Sequence, residues 1–402
     1  MALMPVEDAL GAILKGVTPL GEESVSLDDA LHRVLAQDIA ARRTQPPEAM
    51  SAMDGYAVRA SDALLGARLK VVGEVAAGRP FGRAIKAGET ARIFTGGVVP
   101  DGADAIVIQE DTARDGDAVI VNEAAKRGKH IRAAGIDFRE GDVLFRRGRR
   151  ILDRDLSLAA SMNHAQLPVQ KRPKVALLAT GDELVMPGTN PGPGQIVMSN
   201  GFGLRALMRS EGADVTDLGI SADTIDATTA AIRRARDLGA DILVTTGGAS
   251  VGDHDVVKRS LETEGTTMAF WKIAMRPGKP MMHGQLGDMR VLGLPGNPVS
   301  SYVCTFLFVV PLLRALLGRS DVRHTAEYAL LGRDLGANDE REEYMRSHLT
   351  VADNGVTIAT PVTQQDSSLS AHLSSANGLV IRPPHAPAAA KGSPCVILKL
   401  PI

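Results

Sequence analysis

The chain has 402 residues, 44% of them hydrophobic and 23% charged, with a formal net charge of -2. That length exceeds one hydrophobic core and predicts several domains, while the near-neutral charge excludes a broad nucleic-acid surface, which needs a marked excess of Lys and Arg. The only cysteines, Cys304 and Cys395, exclude a disulfide framework or a thiolate metal site and suit a reducing compartment.

In chain order, "VEDALGAILKG" has the apolar spacing of a helix closed at Gly16. "SLDDALHRVLAQDI" predicts a second helix, with Ser26 as N-cap and Asp29 three residues on. Glu7 and Asp8 precede any long apolar run, so no signal peptide is expected and the cytoplasm is the expected location. Pro46 and Pro47 then forbid helix in the loop "RTQPPEAMSAMDGYAV". Short β-like runs separated by Gly and Asp turns predict a small all-β domain up to residue 135. The basic run 126–150 is read as a solvated face. "DRDLSLAASMNH" predicts a further helix, and Arg172-Pro173 marks a boundary.

From Lys174 the pattern alternates: "KVALLAT", "DVTDLGI", "DILVTT" and "RVLGLPG" read as strands, with helical segments between and after them. Such alternation predicts a doubly wound parallel sheet with helices on both faces. The apolar stretch Tyr302 to Leu317 is shorter than the roughly 20 residues a bilayer needs and carries Pro311 and Arg314, so it reads as a core helix and no membrane partner is expected. The last eighty or so residues return to β-like runs. The expected division is a mixed N-terminal domain of residues 1–40 with 136–172, a β-rich insertion at 41–135, an α/β domain at 173–322 and a C-terminal β domain at 323–402.

Three strand ends of the α/β segment carry unusual sequence. "LLATGDEL" places Thr180, Gly181, Asp182 and Glu183 past one strand. "TTGGASVGDHD" places Gly247, Gly248, Ser250, Asp253, His254 and Asp255 past another. "LGLPGNPVSS" sets Pro295 and Gly296 before Asn297, a candidate N-cap, and Pro298 at the first helical position. Ligands of open α/β sheets bind at the carboxyl ends of the strands. Glycine lets a backbone approach a ligand, and helix N-termini attract anions, so these turns predict a phosphate-bearing ligand. Glu183, Asp223, Asp253 and Asp255 follow strands; without cysteine, such oxygen donors suit Mg²⁺. "FWKIAMRPGKP" offers Lys272, Arg276 and Lys279 on a Pro-stiffened turn fit for an oxyanion. Asp54 precedes Gly55 in a Pro-flanked loop, and Thr95 precedes Gly96-Gly97.

Taken in order, "SAMDGYA", "RIFTGG", "IR-AGIDF-EGD", "LLATGDEL", "TTGGASVGDHD", "WKIAMRPGKP" and "GLPGNPVSS" closely resemble the MoeA family of molybdopterin molybdotransferases, which includes the E domain of gephyrin. The resemblance spans nearly the whole chain. It implies a four-domain homodimer that takes adenylylated molybdopterin and molybdate, inserts the metal at the dithiolene and releases AMP, with Mg²⁺ required. It implies a cleft between the α/β and C-terminal domains of one subunit and the β domain of the other. By motif position it implies site roles for Asp54, Thr95, Asp137, Glu183, Asp223, Asp255, Lys272, Arg276, Arg346 and Ser367. The adenylyltransferase that supplies the substrate is a further expected partner. The chain departs from the family at 276, where Lys is frequent, and at Asp366-Ser367, where Gly-Ser is frequent. A related adenylyltransferase or a gephyrin-like scaffold are the competing readings.

Overall fold

A computed structural model describes residues 3–247 and 256–401. Its centre is a six-stranded sheet built from β1 (Lys174–Thr180), β2 (Asp214–Ser221), β3 (Ile242–Thr246), β4 (Thr267–Lys272), β5 (Pro280–Leu286) and β6 (Met289–Leu294), in the order β2-β1-β3-β6-β5-β4. The first four of that order run parallel; β5 and β4 are antiparallel additions. The parallel α/β layer is therefore as expected, and its antiparallel edge is an addition that the sequence pattern did not reveal.

Alternation along the strands sorts side chains to two faces. Val175, Leu177, Ile242 and Val244 face Leu204 and Met208 of helix Asn200–Ser210 and the apolar helix Pro298–Leu316. Ala176, Leu178 and Leu243 face Ile232 and Ala235 of helix Ile225–Asp237 and Val257 and Leu261 of helix Val256–Thr263. The helix Pro298–Leu316 is 83% buried within the protein, as expected of a core helix, and has a π-helical turn at Thr305–Val309.

The opening helix, Val6–Leu14, sends Ala9, Leu10 and Ile13 into this same core, away from the 136–172 segment with which it was grouped from sequence. No second helix forms after Ser26. Ser26 accepts from the Asp29 amide at 3.3 Å, so the capping signal is used, but in a turn. Residues 33–36 then pair with distant backbone: Leu35 N–H donates to Arg149 O at 3.0 Å and Ala36 N–H to Pro168 O at 3.0 Å. Those bonds tie Leu35, Ile39 and Ala41 into one core with Phe145, Ile151, Met162 and Val169.

Residues 55–121 form a six-stranded sheet with a small core on each face, one around Tyr56 and Val58 and one around Ala57 and Ile93. In the C-terminal region, strands Glu342–Val351, Thr357–Pro361, Glu327–Leu331, Pro394–Lys399 and Gly378–Arg382 close on themselves through the pairing of the first with the last. Closure leaves no free edge among them. The short strand Met275–Arg276 of the central region adds to this barrel beside Glu342–Glu343.

Candidate functional site

The described residues of the three turns predicted at strand ends meet at the carboxyl edge of β1, β3 and β6. They enclose a cavity of about 200 Å³ whose polar lining includes Thr180, Glu183, Asn200, Thr246 and Asn297. Gly247 has φ +87°, and a Cβ there would stand 2.3 Å from Thr180 O. Glycine is thus required first for packing the ends of β3 and β1 together, a use that the ligand-approach reading did not foresee. The Asn200 amide donates to Gly296 O at 2.6 Å and locks the third turn. Pro298 occupies the first helical turn as expected, but Asn297 makes no side-chain cap. Its amide donates instead to Ser367 Oγ at 2.8 Å, and Val299 N–H donates to Ser367 O at 3.0 Å. Ser367, from the C-terminal region, therefore does reach this rim. Pro295 is buried beneath the turn and does not line the cavity. The Thr180 hydroxyl is buried with no partner among the described residues.

Acids collect at one end of the rim. Asp223 N–H donates to Asp182 Oδ1 at 3.0 Å, joining the ends of β2 and β1. The protein around the Asp223 carboxyl, and then the charges of Asp182 and Glu183, hold its pKa above the ordinary carboxylate value. Asp182 was not among the predicted site residues, although it lies in the quoted motif. Gly248, Ser250, Asp253, His254 and Asp255 lie outside the described residues. Among the described residues no group of three or more His, Cys, Asp or Glu side chains forms a ready metal cluster. The donors present are nevertheless hard oxygens that repel one another, which is the chemistry that a hard cation relieves.

Cations lie at the other end. β4 runs parallel to β6, so Lys272 ends on the same edge as Leu294, and Lys279 precedes β5 there. Strand spacing puts the end of β4 ~10 Å from β6 and ~24 Å from β2. Lys279 is exposed and Lys272 partly so, and neither meets a carboxylate among the described residues. Arg276 is engaged within the fold. Its Nε donates to Glu343 Oε1 at 2.9 Å and its Nη1 to Asp339 Oδ2 at 3.4 Å, so its charge is already paired. Arg346 is engaged as well. It is 1% exposed, and its guanidinium donates to Gln365 Oε1 and to the carbonyls of Gln364 and Leu369. It shapes the 364–369 loop that carries Ser367.

A second constellation forms on the β-rich region. The Thr95 amide and hydroxyl both donate to Asp54 Oδ1 at 2.8 Å. These two bonds, and then the Arg92 charge, hold Asp54 below the usual carboxylate range. Gly96 N–H donates to Ser51 O at 2.9 Å and Ala52 N–H to His130 O at 2.9 Å, drawing three loops together. Asp137, in the same N-terminal half, is exposed, its amide donating to Gln45 O at 3.1 Å. Among the described residues no hydrogen bond or ion pair joins Asp54, Thr95 or Asp137 to the central rim.

These two separated constellations fall in segments matched by family models. Residues 4–163 match the MoeA N-terminal region (domain I and II), 176–315 a probable molybdopterin binding domain, and 328–400 the MoeA C-terminal region (domain IV). The molybdopterin molybdenumtransferase of Haemophilus influenzae is 34% identical over 90% of this chain and 90% of its own length. That of Bacillus subtilis is 33% identical over 94% of this chain and 90% of its own.

The chain belongs to the MoeA family.

Crystal structures of the molybdopterin biosynthesis MoeA protein from Pyrococcus horikoshii superpose with TM-scores of 0.86 and 0.85, at 29% and 26% identity, over 99% of this chain. The MoeA fold thus extends over all of the regions described above. The cavity, the three acids and the lysines lie in the segment matched as a probable molybdopterin binding domain; Asp54, Thr95 and Asp137 lie in the N-terminal match, and Arg346 and Ser367 in the C-terminal one.

Proposed function

We propose that this chain is a molybdopterin molybdotransferase acting in molybdenum cofactor biosynthesis: it takes adenylylated molybdopterin and molybdate, places the metal on the dithiolene and releases AMP. The observation that carries this reading is the rim itself, a cleft with mutually repelling carboxylates at one end, lysines that meet no carboxylate among the described residues at the other and a tight glycine turn between. A span of ~24 Å between the edge strands suits an elongated, pyrophosphate-bridged substrate.

In this reading Gly247, Asn297 and Ser367 form the floor that holds the substrate, a role that sequence position extends to Gly248 and Ser250. Lys272 and Lys279 receive molybdate as a substrate oxyanion. Glu183 and Asp223, with Asp182 beside them and, by motif position in the sequence, Asp255, would hold Mg²⁺. The bound ion would neutralise charge on the phosphoanhydride and on the departing phosphate. Asp54, kept ionised by Thr95, acts on the reacting group, and Asp137 orients the same end.

We further propose a homodimer in which one subunit's Asp54 loop completes the other's rim, because among the described residues of one chain no bond joins the two constellations. The reading also includes a cytoplasmic enzyme that receives its substrate from an adenylyltransferase. Two free cysteines agree with that compartment.

The test is product chromatography after mixing the protein with adenylylated molybdopterin, Mg²⁺ and molybdate. Molybdate-dependent AMP release is the expected result. ATP consumption with unadenylylated pterin would point to an adenylyltransferase, and no turnover of either kind to a binding scaffold. Sedimentation that shows a fully active monomer would sink the shared cleft.

A further inference from the structure

Asp54 and Thr95 sit on two turns whose mutual bonds are exposed, so water competes for them. The turns leave from paired strands: Gly55–Val58 and Glu89–Ile93 run antiparallel, with Gly55 opposite Ile93 and Tyr56 opposite Arg92. Asp54 stands just before one strand and Thr95 just after the other, and Arg92 lies at the root of both. Its guanidinium is 5.1 Å from the Tyr56 ring centroid and 5.1 Å from that of Phe94, the residue before Thr95. Arg92 Nη1 donates to Gly55 O at 3.4 Å and Nη2 to Gln109 Oε1 at 2.5 Å, while the Gln109 amide donates to Asp54 O at 3.1 Å. Glu74 is in register with Arg92 on the other neighbouring strand, yet no ion pair joins the two among the described residues. The charge is turned toward the two turns. A planar guanidinium stacks on aromatic faces and presents a fork of donors at its edge, so one side chain presses on two rings and holds two carbonyl oxygens at once.

We infer that Arg92 is a positioning residue for Asp54: clasped by Tyr56 and Phe94 and bonded to Gly55 and Gln109, it fixes the 54–56 turn against the 94–95 turn. The inference rests on the reading of Asp54 as the group that acts on the substrate. Thr95 orients the carboxylate through its two bonds. Arg92 sets the separation of the two segments that carry the carboxylate and its donors, and does so without touching the substrate. The loss of such a brace shows as misplacement of a reacting group, which lowers the rate of the chemical step more than it weakens binding.

Molybdate-dependent AMP release by the full chain, supplied with Mg²⁺ and adenylylated molybdopterin, tests this. Arg92→Met should lower the maximal rate ~10-fold, within the ~10²-fold that a displacement of about 1 Å costs, and leave the half-saturating substrate concentration within ~2-fold. On top of Asp54→Ala the same change should cost less than ~2-fold, because a residue that acts through Asp54 then has nothing left to position. A parental rate in Arg92→Met, or an undiminished loss in the Asp54→Ala background, overturns the inference. Hydrogen exchange separates positioning from folding. Arg92→Met should speed exchange at the Thr95 and Gln109 amides ~5-fold or more, as a local opening does, while strand Ala118–Val121 of the same sheet keeps the parental rate. Acceleration throughout the sheet would make Arg92 a general stabiliser and overturn the assignment. The underlying reading fails separately, if Asp54→Ala alone releases AMP like the parent protein; the exchange at Thr95 and Gln109 then still decides whether Arg92 holds the two turns, and unchanged exchange there overturns it.

Discussion

At the Asp182–Asp223 end of the central rim, carboxylates stand together and no cation pairs with them among the described residues. At the Lys272–Lys279 end, the arginine is bound by two carboxylates, and a second arginine, Arg346, is sunk among carbonyls. The difference separates two uses of charge. A charge whose partners lie inside the fold builds the fold, and removing it leaves buried groups unsatisfied. A charge left facing its own kind raises the energy of the empty site and is relieved by an ion from outside. Asp54 belongs to a third situation, ionised by donors that fix its position without neutralising it.

That contrast breaks most visibly at Asp54. Asp54→Ala should still fold and bind adenylylated molybdopterin but lose ~10²-fold or more in AMP release, the scale of losing a positioned catalytic group. A parallel fall in binding and turnover, or an unfolded variant, would make it a structural turn. Arg346→Met should behave oppositely. It should cost ~2 kcal/mol or more in denaturant unfolding, since several acceptors lose their donors, and unchanged stability would refute its structural role. Asp223→Asn should lower Mg²⁺-dependent AMP release about tenfold, in line with losing one oxygen ligand to a catalytic ion. It should also slightly stabilise the metal-free protein at pH 7, by less than ~1 kcal/mol at so exposed a group. The sign follows from the raised pKa: the folded state favours the protonated acid, so the cost is present above that pKa and vanishes as pH falls. A destabilised variant would contradict the repulsion.

The smallest effect concerns a charge that the fold excludes. His324 stacks on Phe306 at 3.7 Å between centroids and donates from Nε2 to Phe306 O at 2.6 Å. Burial pushes its pKa down to about 4. Its neutral form contributes stability that is complete above the unfolded value near 6.5 and is lost as pH falls toward 4. Between pH 8 and pH 6 the loss should be ~1 kcal/mol, and His324→Phe should flatten that part of the acid unfolding curve. An unaltered curve would show that this histidine does not govern it.

Much of this was open to inspection in the chain itself. The alternation from Lys174 onward, and the rule that ligands gather at the carboxyl ends of parallel strands, placed Thr180, Glu183, Gly247 and Asn297 on one edge, where the fold brings them together. Strand and helix periods, turn glycines and strand-end polar residues are local properties, and local sequence encodes them. What the tertiary structure alone decided is which distant group stands beside each one. Ser26 and Asp29 form their predicted bond, yet the segment after them is claimed by backbone from residues 149 and 168. Arg276 meets a carboxylate 67 positions away, and Arg346 vanishes into its own loop. Charge type and spacing are written in sequence; whether a charge is satisfied depends on long-range packing, because Coulomb and hydrogen-bond partners are set by distance in space and not along the chain.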